Sequence, residues 1–179
     1  MKPDLSRYLP LREVRPEDSP LFFSWINDRE LVEQSAPFKP ISLNEHERWF
    51  FGIQVDSSVR IFAIASETDG TTIGYCQLKK IDRRGGSAEL QIRIGDRGSQ
   101  GKGLGTSAVR RLLAHAFLEL GLRKVYLHVF ADNDRAYRTY IKCGFQVEGV
   151  LRDAVRIDGV LKDIREMAVL RKDYLALAR

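Results

Sequence analysis

The segment Gln100-Gly101-Lys102-Gly103-Leu104-Gly105-Thr106 constrains this chain more than any other. Three glycines in five residues run straight into an apolar repeat at helical spacing (Leu104, Ala108, Val109, Leu112, Leu113, Ala116, Phe117 and Leu120) that Gly121 ends. Glycines let the backbone approach a ligand with no side chain in the way. The first turn of a helix leaves amides unpaired, with the positive end of its dipole beside them. Together these features suit a pyrophosphate, and a plain flexible turn is the bland alternative.

Two well-known phosphate loops can be weighed against this segment. A P-loop is excluded, because Gly101-Lys102 is followed by Gly103 and not by Ser or Thr. The dinucleotide fingerprint G-x-G-x-x-A fits Gly103–Ala108, and Asp132 follows a later strand. In that fold, however, the first glycine follows its strand at once, and here Asp96–Gln100 intervene. Residues 133–179 are also too few to complete a doubly wound sheet.

The rest of the chain alternates clear patterns. Leu9–Val14 reads as a strand, and Ser19-Pro20 opens a helix through Ile26. Ser42-Leu43-Asn44-Glu45 is a capping box ahead of a second helix with Trp49 and Phe50. Val59–Ser66, Thr72–Ile81 and Ser87–Gly95 are β-rich runs separated by turn residues. After the glycine-led helix come strand Lys124–Phe130, helix Asp134–Cys143 stopped by Gly144, and strands Phe145–Arg152 and Val160–Leu170. The order β-α-α-β-β-β-α-β-α-β-β predicts an α+β fold, one domain over 1–179, with a mixed and mostly antiparallel sheet flanked by helices.

Charge divides unevenly. Residues 1–95 hold 13 Lys+Arg against 14 Asp+Glu, whereas 96–179 hold 16 against 10. An anionic ligand for the second half fits this, as does a solvated basic surface. No basic run with interleaved aromatics suggests nucleic acid. No apolar stretch is long enough for a membrane span, and Met1–Arg7 does not read as a secretory leader, so a cytoplasmic protein is expected. Cys76 and Cys143 read as reduced thiols. His46, His115 and His128 lack ligand spacing, so no metal is expected.

Gln100-x-x-Gly103-x-Gly105 resembles the Q/R-x-x-G-x-G/A motif of the GCN5-related N-acetyltransferase (GNAT) superfamily. Asn133-x-x-Ala136-x-x-x-Tyr140-x-Lys142-x-Gly144-Phe145 is similar to a later motif of that family, and Ala88–Ile94 to its central strand. Gln146–Arg152, followed by Asp158-Gly159, resembles the branch of spermidine and ribosomal-protein N-terminal acetyltransferases. The resemblance spans roughly residues 60–174 and is weak over 1–58. It implies a single GNAT-like domain, acetyl-coenzyme A as co-substrate, and transfer to a small-molecule amine (a polyamine or amino sugar) or a protein N-terminus. A homodimer is open.

It also implies residue roles. Backbone groups of Ile92, Arg93 and Ile94 would pair with the pantetheine arm, and Gln100, Gly101, Lys102, Gly103, Leu104, Gly105 and Thr106 would hold the pyrophosphate. Asn133 would bond the pantetheine, and Ala136 would leave room near the sulfur. Tyr140 would protonate the departing thiolate. Glu89 is the candidate base, with a structural ion pair as its alternative. The family usually has about four residues, often with proline, between central strand and glutamine; Gly95–Ser99 has five and none. Glu30, Glu33, Glu45 and Glu47 could line a pocket for a polycation, while Ser35–Ile41 is apolar and carries Lys39. Trp25–Asp28 could border that pocket. Other readings are a non-catalytic acyl-CoA-binding module and a dinucleotide-binding protein.

Overall fold

A computed structural model describes residues 8–177; Met1–Arg7, read above for a leader, lie outside the described residues. Seven strands form one sheet: β1 (Leu11–Glu13), β2 (Arg60–Ala65), β3 (Thr72–Asp82), β4 (Ser87–Ile94), β5 (Lys124–Phe130), β6 (Gln146–Ile157) and β7 (Val160–Leu170). The order is β1-β2-β3-β4-β5-β7-β6. Every pairing is antiparallel except β4 with β5. The mixed, mostly antiparallel α+β architecture expected from the sequence is the one observed.

Helices cover both faces. α1 (Ser19–Ile26), α2 (Arg29–Val32) and α3 (Leu43–Val55) lie on one; α4 (Leu104–Ala114) and α5 (Asp134–Lys142) lie on the other. α6 (Arg171–Leu177) follows β7. Strand alternation sorts the core accordingly. Cys76, Leu78, Ala88, Leu90, Val125 and Leu127 pack with α4, while Ala63 and Tyr75 pack with Phe22, Trp25, Leu31 and Phe50.

The capping box forms as read: the Glu45 amide donates to Ser42 Oγ at 3.3 Å, and the Ser42 amide donates to Glu45 Oε2 at 2.9 Å. Some boundaries differ from the sequence reading. β6 runs on to Ile157, because Asp158 and Gly159, both at positive φ, make a tight hairpin to β7. Phe145 is a core residue outside that strand. α2 is one four-residue turn capped by Asp28, too short to leave a periodic pattern. α4 continues through a widened turn at His115–Glu119, where Leu120 N donates to His115 O.

Candidate active site

The parallel pairing of β4 with β5 stops early. Ser87, Ala88 and Glu89 face Lys124, Val125 and Tyr126, and the two strands then part. Leu90–Ile94 therefore keep β3 on one side and an open edge on the other. Gln100 marks the end of that edge, its Nε2 donating to Ile94 O at 3.0 Å. The intervening loop is a short helical turn, Arg97–Ser99. Gly95 N and Asp96 N both donate to Ile73 O, which anchors the five residues without proline. A side chain at Gly95 would run into the Trp25 ring, so any substitution there must displace it.

Gly101 and Gly103 sit at φ +75° and +81°, and Gly103 caps α4. Nothing lies within 4 Å of a Cβ built on either, and Gly103, Gly105 and Thr106 at the start of α4 line an open cleft. A cleft of about 470 Å³ lies there. It is bounded by Ile92, Arg93 and Ile94 of β4, by Gln100, Gly101, Gly103, Gly105 and Thr106 of the loop, and by Asn133, Ala136 and Tyr140 of α5. Eleven of the fourteen residues singled out from the sequence thus share one cleft.

Three lie elsewhere. Lys102 is an exposed side chain at the loop tip, and Leu104 packs against the core below α4. Glu89 is not among the residues that line the cleft. Only 8% exposed, it meets Lys80 Nζ at 2.8 Å and Lys79 Nζ at 3.1 Å, with His128 Nδ1 at 3.8 Å. Burial would raise its pKa, but bonds from Lys80 and Lys79 and their charges outweigh this and hold it below its ordinary value.

α5 supplies the opposite wall. Asn133 caps it, Oδ1 accepting from Ala136 N at 3.0 Å, and Asn133 Nδ2 donates to Gln34 O at 2.9 Å. That leaves one amide hydrogen for a ligand. Tyr140 is buried edge-on to Phe145, and burial, with Cys143 adding, pushes its phenol up to about 12. The phenol is therefore protonated at neutral pH. The sequence reading missed Arg135, Arg138 and Lys142, which also line the cleft. Their i, i+3, i+7 spacing on a capped helix was the available signal. It missed Gln34 as well, whose side chain accepts from Arg135 Nη2 at 2.7 Å across the cleft.

Toward α1 and α2 the carboxylates are already engaged. Arg97 bridges Asp28 at 2.9 Å and Glu30 at 2.8 Å; Glu33 holds Arg29 at 2.7 Å; Glu45 completes the capping box. None of the four glutamates proposed for a polycation pocket lines the cleft. Arg93 does, with its side chain 8% exposed as a residue and its Nη1 buried without a hydrogen-bond partner. Among the described residues no group of three or more His, Cys, Asp or Glu could hold a metal, and no helix is long and apolar enough to cross a membrane.

The sequence pattern of the acetyltransferase (GNAT) domain matches residues 9–146. Spermidine N(1)-acetyltransferase of Vibrio cholerae is 31% identical over 173 residues, covering 96% of this chain and 98% of that one. The Escherichia coli spermidine N(1)-acetyltransferase is 37% identical over 121 residues, 68% of this chain and 63% of that one. The crystal structure of the Vibrio cholerae enzyme with CoA and spermine superposes with a TM-score of 0.85, covering 94% of this chain and 98% of that one at 31% identity.

Proposed function

The chain belongs to the GNAT family of acetyltransferases, and from this we propose how it works as an acetyl-coenzyme-A-dependent N-acetyltransferase acting on a primary amine of a small molecule. The observation that carries the reading is the open edge of β4 beside the glycine-capped N-terminus of α4. An extended arm bearing amides can pair with Ile92, Arg93 and Ile94 like an added strand. The loop amides meet the pyrophosphate, and the cations of α5 add charge-assisted bonds to its phosphates. One β4 amide in the gap polarises the thioester carbonyl.

In the transfer, the neutral amine nitrogen attacks the thioester carbonyl carbon. The C–N bond forms as the C–S bond breaks, and the sulfur leaves as a thiolate that takes its proton from Tyr140. Solvent restores that proton, and the new amide nitrogen sheds its own to water. A phenol held neutral on the cleft wall supports the donor role. The ion pairs of Glu89 support a structural role for it, so the acceptor enters as the free amine. Polyamines are the acceptors named for the relatives and the first to test. Two buried free thiols and the acetyl-CoA co-substrate support a cytoplasmic setting.

The test is calorimetric binding of acetyl-CoA, followed by thiol release across a panel of amines. Binding with turnover of at least one small amine is expected. Binding without transfer to any amine would leave an acyl-CoA-binding module, and tight NADH binding would restore the dinucleotide reading.

A further inference from the structure

Arg93 is the one cationic side chain among the cleft-lining residues that the acetyl-CoA reading leaves unused. Its neighbours Ile92 and Ile94 turn toward α4: both pack against the main core, and a Cβ on Gly105 would touch Ile94 Cγ1 at 3.8 Å. By strand alternation Arg93 points to the other face. It pairs in register with Tyr75, its guanidinium carbon lies 6.0 Å from that ring, and Nη2 reaches Ser35 Oγ at 3.5 Å. The pyrophosphate loop and the Arg93 head group are thus on opposite sides of β4.

A guanidinium so buried is costly unless an anion compensates it. Among the described residues none does. Asp28 and Glu30 belong to Arg97, Glu33 to Arg29, and Glu89 to Lys79 and Lys80. The cleft walls hold Arg93, Arg135, Arg138 and Lys142 against a single carboxylate, Asp134, which stands at the start of α5. Among the described residues a polycation in the cleft would meet four cations and one carboxylate, Asp134.

We propose that Arg93 binds an anionic group of the acceptor, so that the preferred acceptor is a primary amine that also carries a carboxylate or a phosphate. The planar fork of arginine suits both groups, and its Nη1 is buried without a hydrogen-bond partner. This rests on the acetyltransferase reading and names the acceptor class within it.

The experiment compares paired amines that differ only in the anion: lysine against cadaverine, and glucosamine 6-phosphate against glucosamine, with spermidine alongside. The acidic member of at least one pair should exceed its neutral partner by tenfold or more in kcat/KM. The pair that shows the preference tells carboxylate from phosphate. Arg93→Met should bring that ratio close to one, mainly through KM, and Arg93→Lys should keep part of it. Equal or better turnover of the neutral member in both pairs, or of spermidine over all four, would overturn the proposal on the wild-type protein alone. So would a preference that survives Arg93→Met. Acetyl-CoA titrated into the same wild-type sample separates the two readings: binding without anion preference removes only the role of Arg93, and absence of binding removes the acetyltransferase reading itself.

Discussion

The two faces of the sheet meet at the cleft and are built for recognition by different means. On the α4–α5 face main-chain groups (an open strand edge, two glycines at positive φ and a helix N-terminus) stand opposite the side chains of α5. On the α1–α3 face the groups are side chains, nearly all locked to one another, with Arg93 left over. Main-chain recognition tolerates change at most positions and depends on a few glycines. Side-chain recognition can be retuned by single residues, which is how one scaffold keeps its acyl donor while changing its acceptor.

This contrast can be broken or sharpened by substitution. The largest effect is expected at Tyr140. Tyr140→Phe should lower kcat on the order of 10²–10⁴-fold while acetyl-CoA affinity barely changes, because only a transition-state contact is lost. A near-normal kcat would move the acid elsewhere. The same phenol contributes to stability below its unfolded value of about 10. That contribution drains away as pH rises from there toward its folded value of about 12, so the variant should show a shallower alkaline loss of stability.

Gly103→Glu comes next. It sets a carboxylate against the pyrophosphate, and at about 4 Å the repulsion is roughly 1–4 kcal/mol. Acetyl-CoA affinity should therefore fall roughly 10- to 1,000-fold by calorimetry. Unchanged affinity would take the loop out of the binding site.

Glu89→Gln tests the other face. It leaves Lys79 beside an uncharged partner and should cost roughly 1–3 kcal/mol at pH 7, read by urea unfolding. A lowered carboxyl pKa stabilises the fold above the unfolded value of about 4.5. That stability is lost as pH falls through the lower folded value, so wild type and variant should converge in acid. The kcat–pH profile should keep its shape. A defect largest at low pH and shrinking with rising pH would make Glu89 the base after all. The smallest effect belongs to Ser42→Ala, which removes a helix cap and should cost about 1 kcal/mol by thermal melting with no change in turnover.

The same contrast explains what the sequence made legible. The glycine loop, the strand Ala88–Ile94 and the Asn133 cap are local patterns, each fixed by neighbours a few residues away, and they led directly to the cleft. Tyr140 could be read through the resemblance of Asn133–Phe145 to the family's later motif. The acceptor side depends on partners distant in the chain. Arg97 reaches back 69 residues to Asp28, Arg135 101 residues to Gln34, and Arg93 58 residues to Ser35. No spacing rule connects such positions. The surroundings of Glu89 were not legible for a related reason. Its alternation placed it on the correct strand and said nothing of Lys80, which a backbone irregularity at φ +51° brings beside it.

The early parting of β4 and β5 also bears on how long the protein survives. Sheet edges are normally guarded because another chain can add to them. This edge lies between two strands of one sheet and borders the cleft. Whatever fills it acts as a removable part of the fold. A ligand that binds only the native state adds stability with the logarithm of its concentration, about 2.7 kcal/mol at a hundredfold excess over Kd. Degradation of the transiently opened chain then slows as acetyl-CoA accumulates, which ties the amount of enzyme to the supply of its acetyl donor.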